Sequence, residues 1–216
     1  EWALTALGVP VYDHYGQTEA GMLINNHHAL ALRHPIRQGS MGHVMPGWSA
    51  VVLDENEDHI APVGTLGRVA MELCDSSLAW FSGYLNDAEK SASKFAGEGR
   101  WYLTGDTARV DEEGYFHFSA RDDDVIIMAG YRIGPFEVES VILTHPTVAE
   151  CGVIAVPDEV RGEVIEAYVV LKSGEHASDA LESEIQKWVK ARFAAHAFPR
   201  KVPFIDQLPK TSSGKV

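Results

Sequence analysis

The stretch 121–135, R-D-D-D-V-I-I-M-A-G-Y-R-I-G-P, restricts the fold of this 216-residue chain more than any other. It opens with Arg121 and three consecutive acids, Asp122, Asp123 and Asp124, which an apolar core does not accept unpaired. Residues 125–128 then form an apolar run of strand length and composition. A turn flanked by Gly130 and Gly134 follows, with Arg132 between them. Pro135 stands where a helix would begin, because its ring presets φ and the first helical N–H has no intrahelical partner anyway. A charged joint, a strand, a glycine loop bearing one arginine and a helix start describe a pivot with a working loop beside it. The plainer alternative is a solvated linker running into an ordinary strand-turn-helix unit. The flanking stretches decide between the two.

Charge narrows the function classes. The formal net charge of -13 argues against a nucleic-acid binder, which normally presents a basic face. The charge is uneven, however. Over residues 187–215 the bases are Lys187, Lys190, Arg192, Arg200, Lys201, Lys210 and Lys215, and the only acid is Asp206. A basic end on an acidic protein suits an anionic small molecule such as a nucleotide. Cys74 and Cys151 have no metal-ligand spacing and read as small buried hydrophobes of a reduced, cytoplasmic protein. No apolar run approaches the roughly 20 residues that span a bilayer. His27, His28 and His34 lack a carboxylate or cysteine at ligand spacing and read as loop histidines.

Upstream of the pivot the pattern is strand-rich, with little helix. Residues 9–12 read as a short strand leading into Asp13-His14-Tyr15-Gly16, and ligands of α/β sheets sit in loops at the C-terminal ends of strands. Residues 50–53 and 66–73 read as strands, 87–95 as a short helix, and 108–110 with 115–118 as a hairpin closed by Asp111-Glu112-Glu113-Gly114. Asp106 follows Gly105 at the end of a strand over 101–104, a place from which a carboxylate can accept two vicinal hydroxyls. Its alternative is a turn-initiating aspartate.

Downstream the pattern becomes α+β. A helix over 137–145 carries Val138, Val141, Ile142 and His145 at helical spacing and is stopped by Pro146. Residues 151–156 and 164–171 read as an antiparallel pair of strands. An amphipathic helix over 179–193 follows, with Asp179 and Glu182 as a capping-box start. A last strand over 202–205 precedes the T-S-S-G loop that carries Lys215.

Four motifs therefore stand in order: Y-G-Q-T-E at 15–19, Y-L-T-G-D at 102–106, the pivot, and P-K-T-S-S-G-K at 209–215. Together they resemble the adenylate-forming enzymes, and within them the acyl-CoA synthetases. G-Y-R-I-G-P-F-E-V-E-S at 130–140 looks most like the medium-chain branch. The resemblance covers essentially the whole chain. It implies a mixed α+β architecture: the β-rich C-terminal part of the large AMP-binding domain over 1–120, a hinge over 121–124, and a small α+β lid over 125–216. The phosphate loop and most of the acyl pocket of such enzymes lie upstream of these motifs. The missing N-terminal part is thus an implied partner, and residues 1–216 alone are expected to be inactive.

The same resemblance implies roles residue by residue. Tyr15 stacks on adenine, Asp13 lies near its amino group, and Gly16 belongs to the same nucleotide-binding stretch. Thr18 touches phosphate, and Glu19 holds Mg²⁺. Asp106 and Arg121 bind the ribose. Lys215 bridges substrate carboxylate and phosphate, so Lys215, Thr18 and Glu19 are the catalytic set. Asp123 is the hinge, and the loop at Gly130 enters for the thioester step. Arg132, Arg161 and Lys190 meet phosphates of ATP or CoA. Gly16 also implies room for a longer acyl chain, since acetate-specific relatives carry tryptophan there. The chain departs from its relatives at His196-Ala197-Phe198, where a Tyr-Lys pair is common.

These roles suit the chemistry. A carboxylate attacking the α-phosphate of ATP is an encounter between anions, so catalysis rests on positioning and positive charge. Two other readings share the motifs: a carrier-protein-loading adenylation domain, in which the hinge residue is often lysine, and a non-catalytic nucleotide-binding fragment.

Overall fold

The computed structural model describes residues 2–37 and 39–212. They form two compact units, one ending at Phe118 and the other beginning at Ser119.

In the first unit, helix α1 (Trp2–Leu7) precedes a hairpin of β1 (His14–Gln17) and β2 (Gly21–Asn25), to which β3 (His43–Val44) adds. A second sheet is built from β4 (Ala50–Leu53), β5 (Gly67–Glu72), β6 (Phe95–Ala96), β7 (Trp101–Val110) and β8 (Phe116–Arg121), with helix α2 (Ala88–Ala92) before β6. Its order is β4-β5-β7-β6, and β8 pairs with β7. Leu23, Ile24, Val52, Val69, Met71 and Tyr102 supply the core. Each such side chain contributes about 1.5–3 kcal/mol when removed from water.

The residues expected to form a strand over 9–12 are irregular, and the strand begins at His14 instead. Pro10 has no N–H to give a ladder, and none of the described strands lies alongside to pair with this run. Asp106 does not end a strand either. The β7 strand runs through it to Val110, and the register against β5 slips between the Thr107–Arg68 and Leu103–Ala70 pairs. Gly105, at φ 82°, takes up the resulting bulge, a left-handed conformation that only glycine enters cheaply.

The hairpin turn after β7 is fastened by Asp111. Its carboxylate accepts from the backbone N–H groups of Glu113 and Tyr115, each at 3.0 Å, from Arg37 at 2.9 Å and from His117 at 3.1 Å. Burial alone would raise the Asp111 pKa. The hydrogen bonds from His117, the two backbone groups and Arg37 outweigh it and hold the carboxyl at about 2. The folded value lies below the unfolded one, so this contribution is complete above about pH 4 and fades as pH falls toward the folded value. Asp111→Asn in the intact protein is expected to lose a constant amount of stability above pH 5. The gap to wild type should narrow between pH 4 and 2, as read by urea unfolding at each pH.

The second unit holds β9 (Ile126–Met128), β10 (Tyr131–Ile133), helix α3 (Pro135–Ile142), β11 (Val148–Asp158), β12 (Gly162–Leu171) and helix α4 (Asp179–Arg192). The sheet order is β10-β9-β12-β11, all antiparallel. Val138 and Ile142 of α3 and Leu181, Ile185 and Val189 of α4 enter one core with Ile126, Val153, Ile165 and Val169. Helix α3 ends three residues before the position expected from Pro146, and His145 closes a tighter turn by donating its N–H to Ile142 at 2.9 Å. The start of α4 also differs from expectation. Ser178 is the cap, accepting from Leu181 at 3.2 Å, while Glu182 turns away to accept from the Val202 N–H at 2.8 Å. Residues 202–205 form no regular strand. They follow β12 in parallel through single bridges at Lys201 and Phe204, because Pro203 interrupts the donor row.

Candidate active site

Two sets of expected site residues are described, one in each unit, and each is built locally. In the first, β1 presents Tyr15 from one strand and β7 presents Asp106 from another. Their side chains meet: the Tyr15 hydroxyl donates to Asp106 Oδ2. Asp106 is 6% exposed, and its own N–H is held by Thr104 Oγ1 at 3.2 Å. Burial, reinforced by the negative charge of Asp106, pushes the Tyr15 phenol far up, so it stays protonated and remains a donor. Gln17 joins them. Its Nε2 lies 3.4 Å from Asp106 Oδ2 and 3.3 Å from the Thr104 carbonyl, and its Oε1 accepts from the Tyr102 hydroxyl at 2.5 Å. An aromatic ring beside a buried carboxylate can take a flat base and a vicinal diol together.

Asp13 precedes β1. Its carbonyl accepts from the Asn26 backbone at 3.2 Å and from the Asn26 side chain at 3.1 Å, and its carboxylate accepts from the His14 N–H at 2.9 Å. Thr18 and Glu19 lie in the turn between β1 and β2. Glu19 accepts from the Tyr84 hydroxyl at 2.7 Å, and that bond is the main reason its carboxyl sits below its ordinary pKa; Lys94 and Lys90 add to it. Tyr84 is itself aimed by Ser91, whose Oγ accepts the Tyr84 N–H at 2.7 Å. One carboxylate with two lysines near it is not a cage for a bare cation, and among the described residues no group of three or more metal-ligating side chains occurs. The donor set does fit Mg²⁺ brought by a polyphosphate, since Mg²⁺ is commonly held through one or two carboxylates plus substrate phosphates. His27, by contrast, bonds the Val44 carbonyl at 3.2 Å, and His34 stacks on His43 at 4.0 Å.

Gly16 has a structural constraint that the sequence does not reveal. A Cβ there would stand 2.1 Å from the Gly21 carbonyl oxygen across the hairpin, beside an irregularity in register between Tyr15 and Gly16.

In the second unit, Arg121 and Asp123 pair at 3.5 Å, and Arg132 lies 3.8 Å from Asp122. Gly130, at φ 83°, and Ala129, at φ 51°, make the two-residue turn joining β9 to β10. The Ala129 N–H donates to the Arg161 carbonyl at 2.9 Å, which sets the Gly130 turn beside Arg161. Lys190 places its ammonium 3.7 Å from the centre of the Phe198 ring, and the Arg200 guanidinium lies 3.9 Å from the same ring. Arg200 Nε is buried and unpartnered, and burial first, then the charge of Arg161, lowers the Arg200 pKa. Lys215 lies outside the described residues.

The residues that sequence reasoning passed over are Gln17, Tyr102 and Tyr84, while Arg200 was named only as part of the basic end and Phe198 only as a departure from relatives. Gln17 and Tyr102 stand inside two of the quoted motifs, and that was their only signal. Tyr84 had none, because its partner Glu19 is 65 residues away.

Residues 137–215 match the family described as AMP-binding enzyme C-terminal domain. Over 212 residues the chain is 44% identical to the mitochondrial acyl-coenzyme A synthetase ACSM3 of Rattus norvegicus, covering 97% of this chain and 35% of that protein. It is 43% identical over 216 residues to the acetyl-coenzyme A synthetase of Bacillus subtilis, covering 100% and 36%. Among solved structures, ATP-bound MatB from Rhodopseudomonas palustris superposes with a TM-score of 0.83 at 32% identity, over 97% of this chain and 39% of that one. The chain thus spans little more than a third of these relatives. Motifs, fold and relatives agree: residues 137–215 carry an AMP-binding enzyme C-terminal domain, and the relatives that the whole chain resembles are acyl-CoA synthetases.

Proposed function

We propose that this chain is the C-terminal portion of an ATP-dependent acyl-CoA synthetase that activates a medium-chain fatty acid as its acyl adenylate and passes it to CoA. The observation that carries the reading is the meeting of Tyr15 with the buried Asp106. In the first step the Tyr15 ring stacks on adenine, with Asp13 near the amino group, while Asp106 and Arg121 accept and support the ribose. Thr18 contacts phosphate. Glu19, oriented by Tyr84, holds Mg²⁺, which supplies charge neutralisation on the phosphates. Lys215 draws the substrate carboxylate and the α-phosphate together, after which pyrophosphate leaves.

In the second step the unit beyond Asp123 turns, withdrawing Lys215 and bringing the Gly130 turn to the same centre. Arg132, Arg161 and Lys190 then meet the phosphates of CoA. The positive charges of Lys190 and Arg200 gathered around Phe198 support an anion near these residues. No described helix is long and apolar enough to cross a membrane. A cytoplasmic setting is supported by two free cysteines: Cys151 is buried as expected, its thiol pushed up to about 12, chiefly by desolvation, whereas Cys74 is exposed and is not the buried hydrophobe expected from the sequence. Residues 1–216 without the upstream part are inactive in this reading.

The test uses the intact protein with ATP, Mg²⁺, CoA and straight-chain acids from acetate to decanoate. AMP and acyl-CoA should form in equal amounts, with the best turnover at intermediate length. Asp106→Ala should raise the KM for ATP about tenfold or more, the scale of a lost hydrogen bond to a charged group. An unchanged KM would remove the adenosine reading. AMP formed without any CoA consumption, but with loading of a phosphopantetheinyl protein, would favour the carrier-loading alternative.

A further inference from the structure

Gln17 and Tyr102 belong to no part of the reaction as proposed above, yet they form a built hydrogen-bond relay behind Asp106. Tyr102 is 0% exposed, its ring packed edge-on against Phe81 at 5.4 Å and Phe95 at 6.2 Å, so its hydroxyl has little freedom to move. That hydroxyl donates to Gln17 Oε1 at 2.5 Å. Fixing the oxygen fixes the other end of the amide, because a carboxamide carries its acceptor and its donors on opposite arms. The Nε2 arm is thereby turned to the Thr104 carbonyl at 3.3 Å, Asp106 Oδ2 at 3.4 Å and the Tyr15 hydroxyl at 3.5 Å.

Asp106 needs such support for a physical reason. It sits on the Gly105 bulge, where the ladder to β5 is interrupted and the backbone alone does not define its direction. Two neutral donors, Tyr15 and Gln17, converge on one carboxylate oxygen and hold the plane of the group. A diol is recognised only when both of its oxygens meet a carboxylate in one orientation, so loss of that plane weakens discrimination more than it weakens binding as a whole.

We propose that Gln17 and Tyr102 are positioning residues that orient Asp106 and so set the selectivity of this site for a ribonucleotide over a deoxyribonucleotide. The inference rests on the reading of Asp106 as the ribose ligand. Neither residue touches the substrate in it, and each acts through Asp106.

The experiment compares ATP with 2′-deoxyATP in acid-dependent pyrophosphate exchange by the intact protein, reporting the ratio of the two kcat/KM values. Wild type should prefer ATP by about tenfold or more, as expected of a site that hydrogen-bonds the missing hydroxyl. Asp106→Ala should bring the ratio near one. Gln17→Glu keeps the shape but replaces the donor by a second negative charge, and should lower the ratio about tenfold. Tyr102→Phe keeps the packed ring and should lower it about threefold, the scale of a neutral hydrogen bond. A merely structural role would reduce turnover of both nucleotides equally and leave the ratio where it was. If Asp106→Ala collapses the ratio and both Gln17→Glu and Tyr102→Phe leave it intact, the positioning inference is wrong. If wild type uses both nucleotides equally, or Asp106→Ala leaves the ratio unchanged, the ribose reading of Asp106 fails first.

Discussion

Lys215→Ala in the intact protein is expected to slow acyl-adenylate formation by about 10²–10³, the usual loss when one preorganised electrostatic donor is removed. Lysine suits the task because a compact cation on a long stem can reach between two anions. Thioester formation from a pre-made acyl adenylate should be nearly normal in the same variant, since the proposed second step has no role for Lys215. Gly130→Leu should show the reverse, obstructing the path of the CoA thiol while sparing adenylation. The geometry at Gly130 adds a control. At φ 83° any side chain strains the turn, by roughly 1–2 kcal/mol, so Gly130→Ala carries the strain without the bulk. Only the difference between Leu and Ala reports obstruction. Pyrophosphate exchange and CoA consumption from the synthetic adenylate measure the two halves separately. Equal losses in both halves for Lys215→Ala and Gly130→Leu would end the alternation reading.

Gly16→Ala is expected to destabilise the protein by about 1–3 kcal/mol or more, the range for forcing atoms into a packed site. The added methyl would meet backbone, the Gly21 carbonyl at 2.1 Å, and backbone cannot rotate aside as a side chain can. Gly21 offers no relief. It sits at φ 66° with its own Cβ position 2.6 Å from the Trp80 ring. The implied role of Gly16 in leaving the acyl pocket open therefore cannot be tested by inserting tryptophan alone, because the hairpin would open before any pocket filled. Thermal unfolding of Gly16→Ala, set beside its octanoate-to-acetate turnover ratio, separates the two. A stable variant with a shifted ratio would restore the pocket as the reason for the glycine. A destabilised variant with an unchanged ratio identifies the hairpin as the reason.

Much of the fold was legible in local pattern. Alternation and β-branched runs announced β4, β11 and β12, and the spacing of Leu181, Ile185 and Val189 announced α4, because burial on one face repeats with the period of the element itself. A carboxylate and a ring, Asp106 and Tyr15, were legible as candidates for one site, and the structure brings these two together. The tertiary structure alone decided how they are held. Tyr15 meets Asp106 across 91 residues and Gln17 meets Tyr102 across 85, separations over which no periodicity carries information. The bulge at Gly105 exists because β5 pairs on both sides of it, which is a property of the partner strand and not of Y-L-T-G-D. Residues 9–12 have strand-like composition and form no strand, since a strand is completed by hydrogen bonds to a neighbour and a sequence names only one side of each bond.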